Sequence, residues 1–314
     1  MKKEYFEESS DGSLKNSSAY AKVKVKQAPE RTGVIRSFDL GVPGTKIGLT
    51  VVYILCAALV LIALFPVFWV IMAGFKDLRE LNSSTAIFPS SFDFSQYTTT
   101  WDQSGISRTY LNSFYVVAGS IACALVVNGM LAYGLAILKP AGYKLIGRLV
   151  MLSLLTPATI SLVPLFMNIQ RVGMGGFFWP LWLAAGANAF FVVLFRQFFE
   201  SLPFSIIEAS RIDGCSPLQT FFQIVMPLSK PIVVVITLYT INAAWSDFLL
   251  PYLVLGNSQW QTVMVRLFIL STQQTINDAV VLRTVVFSMI PPILLFFIFQ
   301  KKLTENAISV GIKG

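Results

Sequence analysis

Few residues of this chain are equipped for catalysis. Its 314 residues contain no histidine, which removes the commonest general base and metal ligand. Of the three cysteines, Cys56 and Cys123 lie in apolar stretches and Cys215 in a polar one, so no disulfide framework is predicted. Asp247 is the one clear acid inside a long apolar stretch. We therefore expect no catalytic residue, no metal site and no cofactor bound by this chain.

The polar segment of residues 203–231 carries the strongest local pattern. Ser205 and Glu208 fit an S-x-x-E capping box, which predicts the start of a helix. Gly214 stands where a glycine typically follows the end of a helix. This half of the segment is therefore predicted to be a short helix followed by a turn.

The second half of the same segment predicts another helix. Ser216 and Gln219 fit a second capping box, with Pro217 at the first helical position. Pro227 is expected to end or kink that helix. Apolar residues in a segment expected to face water indicate burial, either against this chain's own helices or against a partner. They are Ile206, Ile207, Ala209, Phe221, Phe222 and Ile224.

The spacing of these residues resembles the EAA loop of binding-protein-dependent ABC importer permeases. That pattern is E-A-A, three residues, G, nine residues, then I-x-L-P. This chain has Glu208–Ser210, then Gly214, then Ile224–Pro227 at the same spacing, with Ser210 in place of Ala and Met226 in place of Leu. The resemblance implies that the loop contacts an ATPase subunit. The residues to which it assigns this coupling role are Glu208, Ala209, Asp213, Gly214, Ile224 and Pro227.

Three other stretches are similar to the maltose-type carbohydrate permeases, and in particular to the second, shorter permease of that heterodimer. They are Asn112-Ser113, residues 245–251 (W-S-D-F-L-x-P) and residues 311–314 (G-I-K-G). The resemblance covers about residues 50–314 and implies a type I ABC importer permease fold.

The resemblance also implies an assembly. A second permease would complete the pathway, two cytoplasmic ABC ATPases would hydrolyse ATP with Mg²⁺, and an extracytoplasmic solute-binding protein would deliver the solute. Closure of the ATPases would move the docked loops and switch the pathway between inward- and outward-facing forms. The chain has no G-x-x-x-x-G-K-[ST] loop, so it is not itself the ATPase.

The elements that must position these residues are membrane helices. Hydrophobic residues make up 55% of the chain, charged residues 13%, and mean hydropathy is +0.67. Crossing a bilayer takes about 20 apolar residues. Six apolar runs meet this length, so the sequence predicts an all-α, polytopic membrane protein. The predicted spans are residues 47–75, 109–138, 146–168, 176–198, 230–252 and 279–300.

The distribution of the net charge of +8 predicts the orientation. With the N-terminus inside, the inner segments hold 18 Lys and Arg residues and the outer segments hold 6. This bias predicts a multi-pass protein of the bacterial cytoplasmic (inner) membrane, in contact with lipid, with both termini cytoplasmic. It explains the basic charge without nucleic acid. The predicted regions are a tail (1–46), the first helix with an external segment (47–106), the core (107–301, including the loop 199–229) and a tail (302–314).

Polar residues inside the spans are candidates for the solute path. A tryptophan ring can cover the apolar face of a sugar while amides bond its hydroxyls, but buried amides also join helices to one another. The candidates are Asn188, Asn242, Trp245 and Asp247, with Asn128 and Thr159 as further ones. Asp247 is expected near the outer face, where an interfacial role is the alternative.

Other functions stay open at this point. The same assembly could carry glycerol phosphate, a polyol or an acidic oligosaccharide. A channel or secondary transporter would need no ATPase and hence no coupling loop, and such transporters usually hold charged groups near the midplane. A membrane-embedded enzyme would need a catalytic constellation inside the spans, which the sequence does not offer.

Overall fold

The computed structural model describes the backbone of residues 43–273 and 275–311, and within these residues every regular element is a helix. The predicted N-terminal tail lies outside the described residues apart from 43–46. The described helices are α1 (Pro43–Gly74), α2 (Leu78–Ser83), α3 (Ser95–Ser104), α4 (Ile106–Leu138), α5 (Tyr143–Ser153), α6 (Ala158–Arg171), α7 (Trp179–Gly186), α8 (Ala189–Glu200), α9 (Phe204–Ile212), α10 (Pro217–Leu228), α11 (Lys230–Ser246), α12 (Leu249–Leu255), α13 (Val263–Thr272) and α14 (Asp278–Gly311).

The chain divides into two compact units at Ile62 and Ala63, within α1. The described part of the first unit is the beginning of α1, an apolar stretch. All the sites considered below lie in the second unit.

Three described helices are long and apolar enough to cross a membrane unaided: Lys46–Gly74 within α1, Ile106–Leu138 (α4) and Asp278–Phe299 within α14. Two bent pairs raise the number to as many as five. The pair α7 and α8 bends by 44°, and the pair α10 and α11 bends by 85°. The architecture is that of a polytopic helical membrane protein.

Several predicted spans are broken rather than continuous. The predicted span 146–168 is two helices, α5 and α6, separated at Pro157, whose ring removes a backbone donor. The predicted span 230–252 is interrupted at Asp247, between α11 and α12. By contrast, Pro66, Pro164 and the Pro291–Pro292 pair lie inside unbroken helices.

The structure extends the last predicted helix and adds a helix that was not predicted. The last helix, α14, continues to Gly311, whereas a polar tail was expected from residue 302. Residues 263–272 form α13, which the sequence prediction missed because this stretch is short for a span. Thr262 begins α13 by accepting a hydrogen bond from the Val265 N–H with its side chain.

The main hydrophobic cluster joins the second half of α4 to α8, α9, α10 and α11. Phe195, Phe199 and Phe221 lie fully buried in it, together with Ile207 and Ile236. The segment predicted as a coupling loop therefore shares one core with the spans.

Candidate functional site

The predicted loop is a helical hairpin made of α9 and α10. Gly214 follows α9 with a φ of 80°, a left-handed conformation that costs glycine nothing. The Cys215 N–H donates to the Ser210 carbonyl (3.0 Å) and the Gly214 N–H donates to the Arg211 carbonyl (3.1 Å). These two bonds form the Schellman ending of a helix, so the predicted role of Gly214 in the turn is confirmed.

The predicted capping box of Ser205 and Glu208 is wrong. The first helix begins two residues earlier than that box would place it, at Phe204, with Pro203 at the N-cap position and no side-chain cap. Proline fixes the backbone angle at the entry, so no side-chain bond sets this start. Glu208 consequently lies in the middle of α9, exposed, and its carboxylate has no hydrogen bond or ion pair among the described residues.

The second helix begins as predicted. The Gln219 N–H donates to the Ser216 hydroxyl (3.3 Å), and the Ser216 N–H donates to the Gln219 side-chain oxygen (2.8 Å). A π-helical stretch, Thr220–Val225, follows inside α10. The helix ends at Leu228, one residue after Pro227, and α11 leaves it at 85°. The expectation that Pro227 lies at a break is confirmed.

One face of the hairpin is buried in this chain's own core. Ile207, Phe221 and Val225 belong to the main hydrophobic cluster. Beneath the turn, the buried hydroxyls of Ser210 and Thr220 lie 3.3 Å apart and hydrogen-bond one another. The two hairpin helices are thus held together from inside, and Ser210, which replaces an alanine of the pattern, supplies one of the two hydroxyls.

Phe221 joins the hairpin to the membrane span α4. Its ring centroid lies 5.4 Å from that of Tyr133. A Cβ atom added to Gly129 would lie 3.3 Å from the Phe221 Cζ. Both α4 residues stand between two π-helical stretches, Ala124–Asn128 and Gly134–Leu138. Such stretches often mark functional sites in helices.

The opposite face of the hairpin is exposed. Glu208, Ala209, Asp213 and Gly214 all lie on it, as does Pro227. Large apolar side chains accompany them, and Ile212 is the most open, at 86% exposure. The others are Phe204, Ile206, Leu218 and Phe222. Ile224 is half-buried. A surface that combines acids with apolar side chains is typical of a protein contact.

Two of the predicted path residues share a cavity. Asn188 and Asp247 line a space of about 150 Å³, together with Ser120 and Thr240. The Asn188 side-chain oxygen accepts from the N–H groups of Phe190 (3.0 Å) and Phe191 (3.2 Å) and so caps α8. The Asp247 carboxylate accepts from the Leu249 N–H (3.1 Å), so both candidates have a local structural task while they border the same space.

Asn242 and Trp245 line a second cavity, of about 170 Å³, with Pro292 and Phe296. The Trp245 indole N–H donates to the Ser288 carbonyl (3.0 Å) and its side chain is buried. Since Asn242 is exposed, it is the more accessible polar group of the pair.

The Asn128 side chain hydrogen-bonds α4 to the end of α7 and the start of α8. Its amide nitrogen donates to the Ala124 and Ala185 carbonyls, both at 3.0 Å, and its oxygen accepts from the Asn188 N–H at 3.0 Å. With these bonds made and 1% exposure, the side chain has little left for a solute. Thr159 lies exposed on α6.

The comparisons with known proteins bear on this architecture. The family described as "Binding-protein-dependent transport system inner membrane component" matches residues 125–307. The chain belongs to this family. It is an inner-membrane transport permease. The matched region includes the hairpin, the whole lining of the second cavity, and the lining of the first cavity apart from Val116 and Ser120.

Curated relatives of this permease include carriers of several saccharides. The chain is 29% identical over 255 residues to the diacetylchitobiose uptake system permease protein NgcG of Streptomyces coelicolor, covering 80% of this chain and 84% of that one. It is 28% identical to the polygalacturonan/rhamnogalacturonan transport system permease protein YtcP of Bacillus subtilis (81% and 94% covered). It is 26% identical to the melibiose/raffinose/stachyose import permease protein MelC of the same organism (83% and 95% covered).

A solved structure shares the fold of this permease. It is the crystal structure of a bacterial ABC transporter involved in the import of the acidic polysaccharide alginate. The TM-score is 0.74 at 23% sequence identity, with 83% of this chain and 98% of that chain covered. The expected type I ABC importer permease fold is confirmed at the level of architecture.

The permease also has a polar cleft that sequence reasoning missed. Gln170, Tyr252, Asn257 and Ser258 line a space of about 350 Å³ with the glycine-rich turn at residues 173–176. A Cβ on Gly175 would lie 2.9 Å from the Gln170 amide oxygen, so glycine leaves room for that amide. The amides of Gln170 and Asn257 have no hydrogen-bond partner among the described residues. In the sequence, the only indication of this cleft is that polar residues flank two of the predicted spans.

Proposed function

We propose that this permease is a subunit of an ATP-driven importer that moves saccharides across the cytoplasmic membrane, with the α9–α10 hairpin as its contact to a separate ATPase. The exposed hairpin face carries this proposal. It presents Glu208 without a partner in the described chain, beside Ile212 at 86% exposure. Water alone does not favour such a surface, whereas a partner that covers it gains from burying the apolar side chains.

The same hairpin supplies the mechanical link to the membrane. A push on the exposed face is transferred to Phe221, which abuts Gly129 and Tyr133 in α4. Packed cores transmit displacement because they have little free volume. Movement of the ATPases would therefore reach α4, the helix whose residue Ser120 borders the cavity beside Asn188 and Asp247.

The proposed assembly follows the resemblance. A second permease subunit, making a heterodimer, would complete the path, and two ABC ATPases would bind from the cytoplasm. An extracytoplasmic solute-binding protein would deliver cargo to the other side. ATP and Mg²⁺ would be hydrolysed by the ATPase, so this chain would have no catalytic role and no cofactor of its own. Both termini would be cytoplasmic and nucleic acid would have no role.

Saccharides are the proposed cargo because the three relatives described above are saccharide permeases. The polar cleft lined by Gln170 and Tyr252 fits that class, since amides and hydroxyls can bond sugar hydroxyls and Tyr252 offers an aromatic side chain. The relatives handle both neutral and acidic saccharides. An acidic oligosaccharide is accordingly the second candidate, favoured by the relative that carries polygalacturonan and by the alginate importer that shares the fold.

Reconstituted uptake tests this proposal. The permease, a partner permease, the ATPases and a solute-binding protein from the same source are placed in proteoliposomes, and uptake of labelled solutes is measured with and without ATP. The panel contains neutral oligosaccharides, galacturonate oligosaccharides, glycerol phosphate and a polyol. ATP-dependent uptake of a saccharide is expected. Uptake that proceeds equally without ATP, or ATP-dependent uptake of glycerol phosphate alone, would contradict the proposal.

A further inference from the structure

Arg283 is a buried cation held by neutral oxygens. It lies in α14 with only 7% of its surface exposed. Its Nε donates to the Gly74 carbonyl (2.7 Å), and a terminal nitrogen donates to the Lys76 carbonyl (3.2 Å). The guanidinium also donates to the side-chain oxygens of Gln96 and Thr100. Among the described residues no acid forms an ion pair with it.

These acceptors come from two other parts of the chain. Gly74 ends α1, where helix carbonyls lack partners and the helix dipole is negative, and Lys76 follows two residues later. Gln96 and Thr100 lie on α3, in the external segment (residues 75–105). One side chain on α14 therefore closes the end of α1 and holds α3 against the same point.

The fit around this cation is tight. The Tyr97 hydroxyl donates to the Ile71 carbonyl (3.2 Å), which ties α3 to the end of α1 a second time. A Cβ atom on Gly74 would overlap that hydroxyl. At the other end of α3, Arg266 donates to the Ser104 carbonyl (2.9 Å). The external segment is thus fixed to α13 and α14 at both ends of its longer helix.

A chain of aromatic contacts continues from the external segment to the second cavity. The Phe287 ring lies 5.7 Å from Tyr97 and 5.0 Å from Trp101, between ring centroids. Trp101 contacts Tyr110 (5.4 Å), and Tyr110 contacts Trp245 (5.6 Å). The Tyr110 hydroxyl and the Trp245 indole donate to successive α14 carbonyls, those of Phe287 and Ser288. Trp245 lines the cavity shared with Asn242.

An apolar residue would fill the Arg283 position at lower desolvation cost, since a buried cation loses its hydration and is often no better for stability than a packed hydrophobe. The guanidinium differs from a hydrophobic side chain in making directional hydrogen bonds. Its planar array of donors fixes several acceptors at once, which a hydrophobic contact does not. The arrangement therefore specifies where the external segment sits.

We propose that Arg283 is a positioning residue for transport: it clamps the external segment onto α14, so that displacement of that segment is passed through the aromatic chain to Trp245 and its cavity. This inference rests on the proposed function for its transport consequence. The fixing of the external segment by Arg283, here called the clamp, is inferred from the contacts alone. The clamp and the transmission to Trp245 are therefore tested by different measurements.

The clamp is tested by a distance measurement. Spin labels are attached at Thr99 on α3 and Ile290 on α14, after all three cysteines are replaced by serine. The original chain is expected to give one narrow distance distribution, and Arg283→Met a broad one. Gln96→Leu, which removes one acceptor without altering α14, serves if Arg283→Met fails to fold. The control is Arg79→Met, because Arg79 is exposed in the same segment and its side chain makes no hydrogen bond or ion pair among the described residues. A narrow distribution in both test variants would overturn the clamp.

Transmission is tested in the reconstituted assembly, as the ratio of ATPase activity with loaded binding protein to activity without it. Arg283→Met or Gln96→Leu is expected to lower this ratio by about tenfold, within the range of couplings between distant sites, while Arg79→Met retains it. A broad distance distribution with an unchanged ratio would overturn transmission. If the original chain shows no stimulation, the proposed function fails together with transmission, and the distance measurement still decides the clamp.

Discussion

Replacing Glu208 by alanine separates folding from partner contact. Within the chain, Glu208 is exposed in the middle of α9 and makes no hydrogen bond or ion pair among the described residues. Alanine is at least as good a helix former as glutamate. Surface changes of this kind usually alter stability by less than about 0.5 kcal/mol. We therefore expect the thermal unfolding midpoint of the purified permease to stay unchanged.

The effect on the ATPase should be larger. A hydrogen bond to a charged group contributes about 1.5–3 kcal/mol, and its loss leaves the partner's charge unpaired. This corresponds to an affinity about 10-fold to roughly 100-fold weaker. The dissociation constant of the ATPase for the permease, measured in lipid nanodiscs, checks this range.

Glu200→Ala is the matched control. This glutamate ends α8, close in sequence to the hairpin, and forms an exposed ion pair with Arg196 (2.8 Å). Such a pair contributes about 0.3–0.5 kcal/mol, so its loss should leave ATPase affinity nearly intact. The reasoning is refuted if Glu208→Ala binds the ATPase as tightly as the original chain, or if the Glu200 variant loses as much affinity.

Three further outcomes are expected. Gly214→Val should destabilise the hairpin by at least about 1–2 kcal/mol, because a φ of 80° is strained for a branched residue. The strain comes from the backbone alone, since no atom lies within 4 Å of the added Cβ. Asparagine tolerates this conformation better, so Gly214→Asn should retain more ATPase than Gly214→Val when the permease is co-purified with it. Phe221→Ala should lower unfolding stability by about 3–5 kcal/mol, as a fully buried ring is lost, whereas an unchanged midpoint would contradict its role in the core. Cysteines at the exposed positions Ser95 and Asn257 should react with an impermeant thiol reagent from outside intact cells; reaction only from the cytoplasmic side would reverse the topology.

Features that depend on neighbouring residues were predictable from the sequence. The Ser216 capping box and the left-handed Gly214 are set by contacts within five residues along the chain. The long apolar runs likewise predicted α1, α4 and the membrane part of α14. Capping patterns fail where two neighbouring residues could each precede a helix. Here the helix starts after Pro203, whose backbone angle is fixed, and not after the predicted Ser205 cap.

Features that depend on distant residues were not predictable in this way. Arg283 donates to a carbonyl 209 positions earlier, so its burial has no local signature in the sequence. Trp245 was a reasonable path candidate, yet its indole is bound to a carbonyl 43 positions later. The break at Asp247 was also missed, because apolar run length does not report it. The break at Pro157, by contrast, has a local cause in the proline ring.

The hairpin illustrates how one short segment serves two surfaces. Ile206 and Ile207 are adjacent in sequence, yet Ile207 is buried in the core while Ile206 is 37% exposed. Phe221 and Phe222 divide in the same way, at 0% and 49%. Successive residues of a helix point about 100° apart, so each apolar pair supplies one residue to the core and one to the outer face. A hairpin made only for its own stability would not need the outer residues to be apolar. Their presence beside Glu208, which has no hydrogen bond or ion pair among the described residues, supports the proposed contact with a partner.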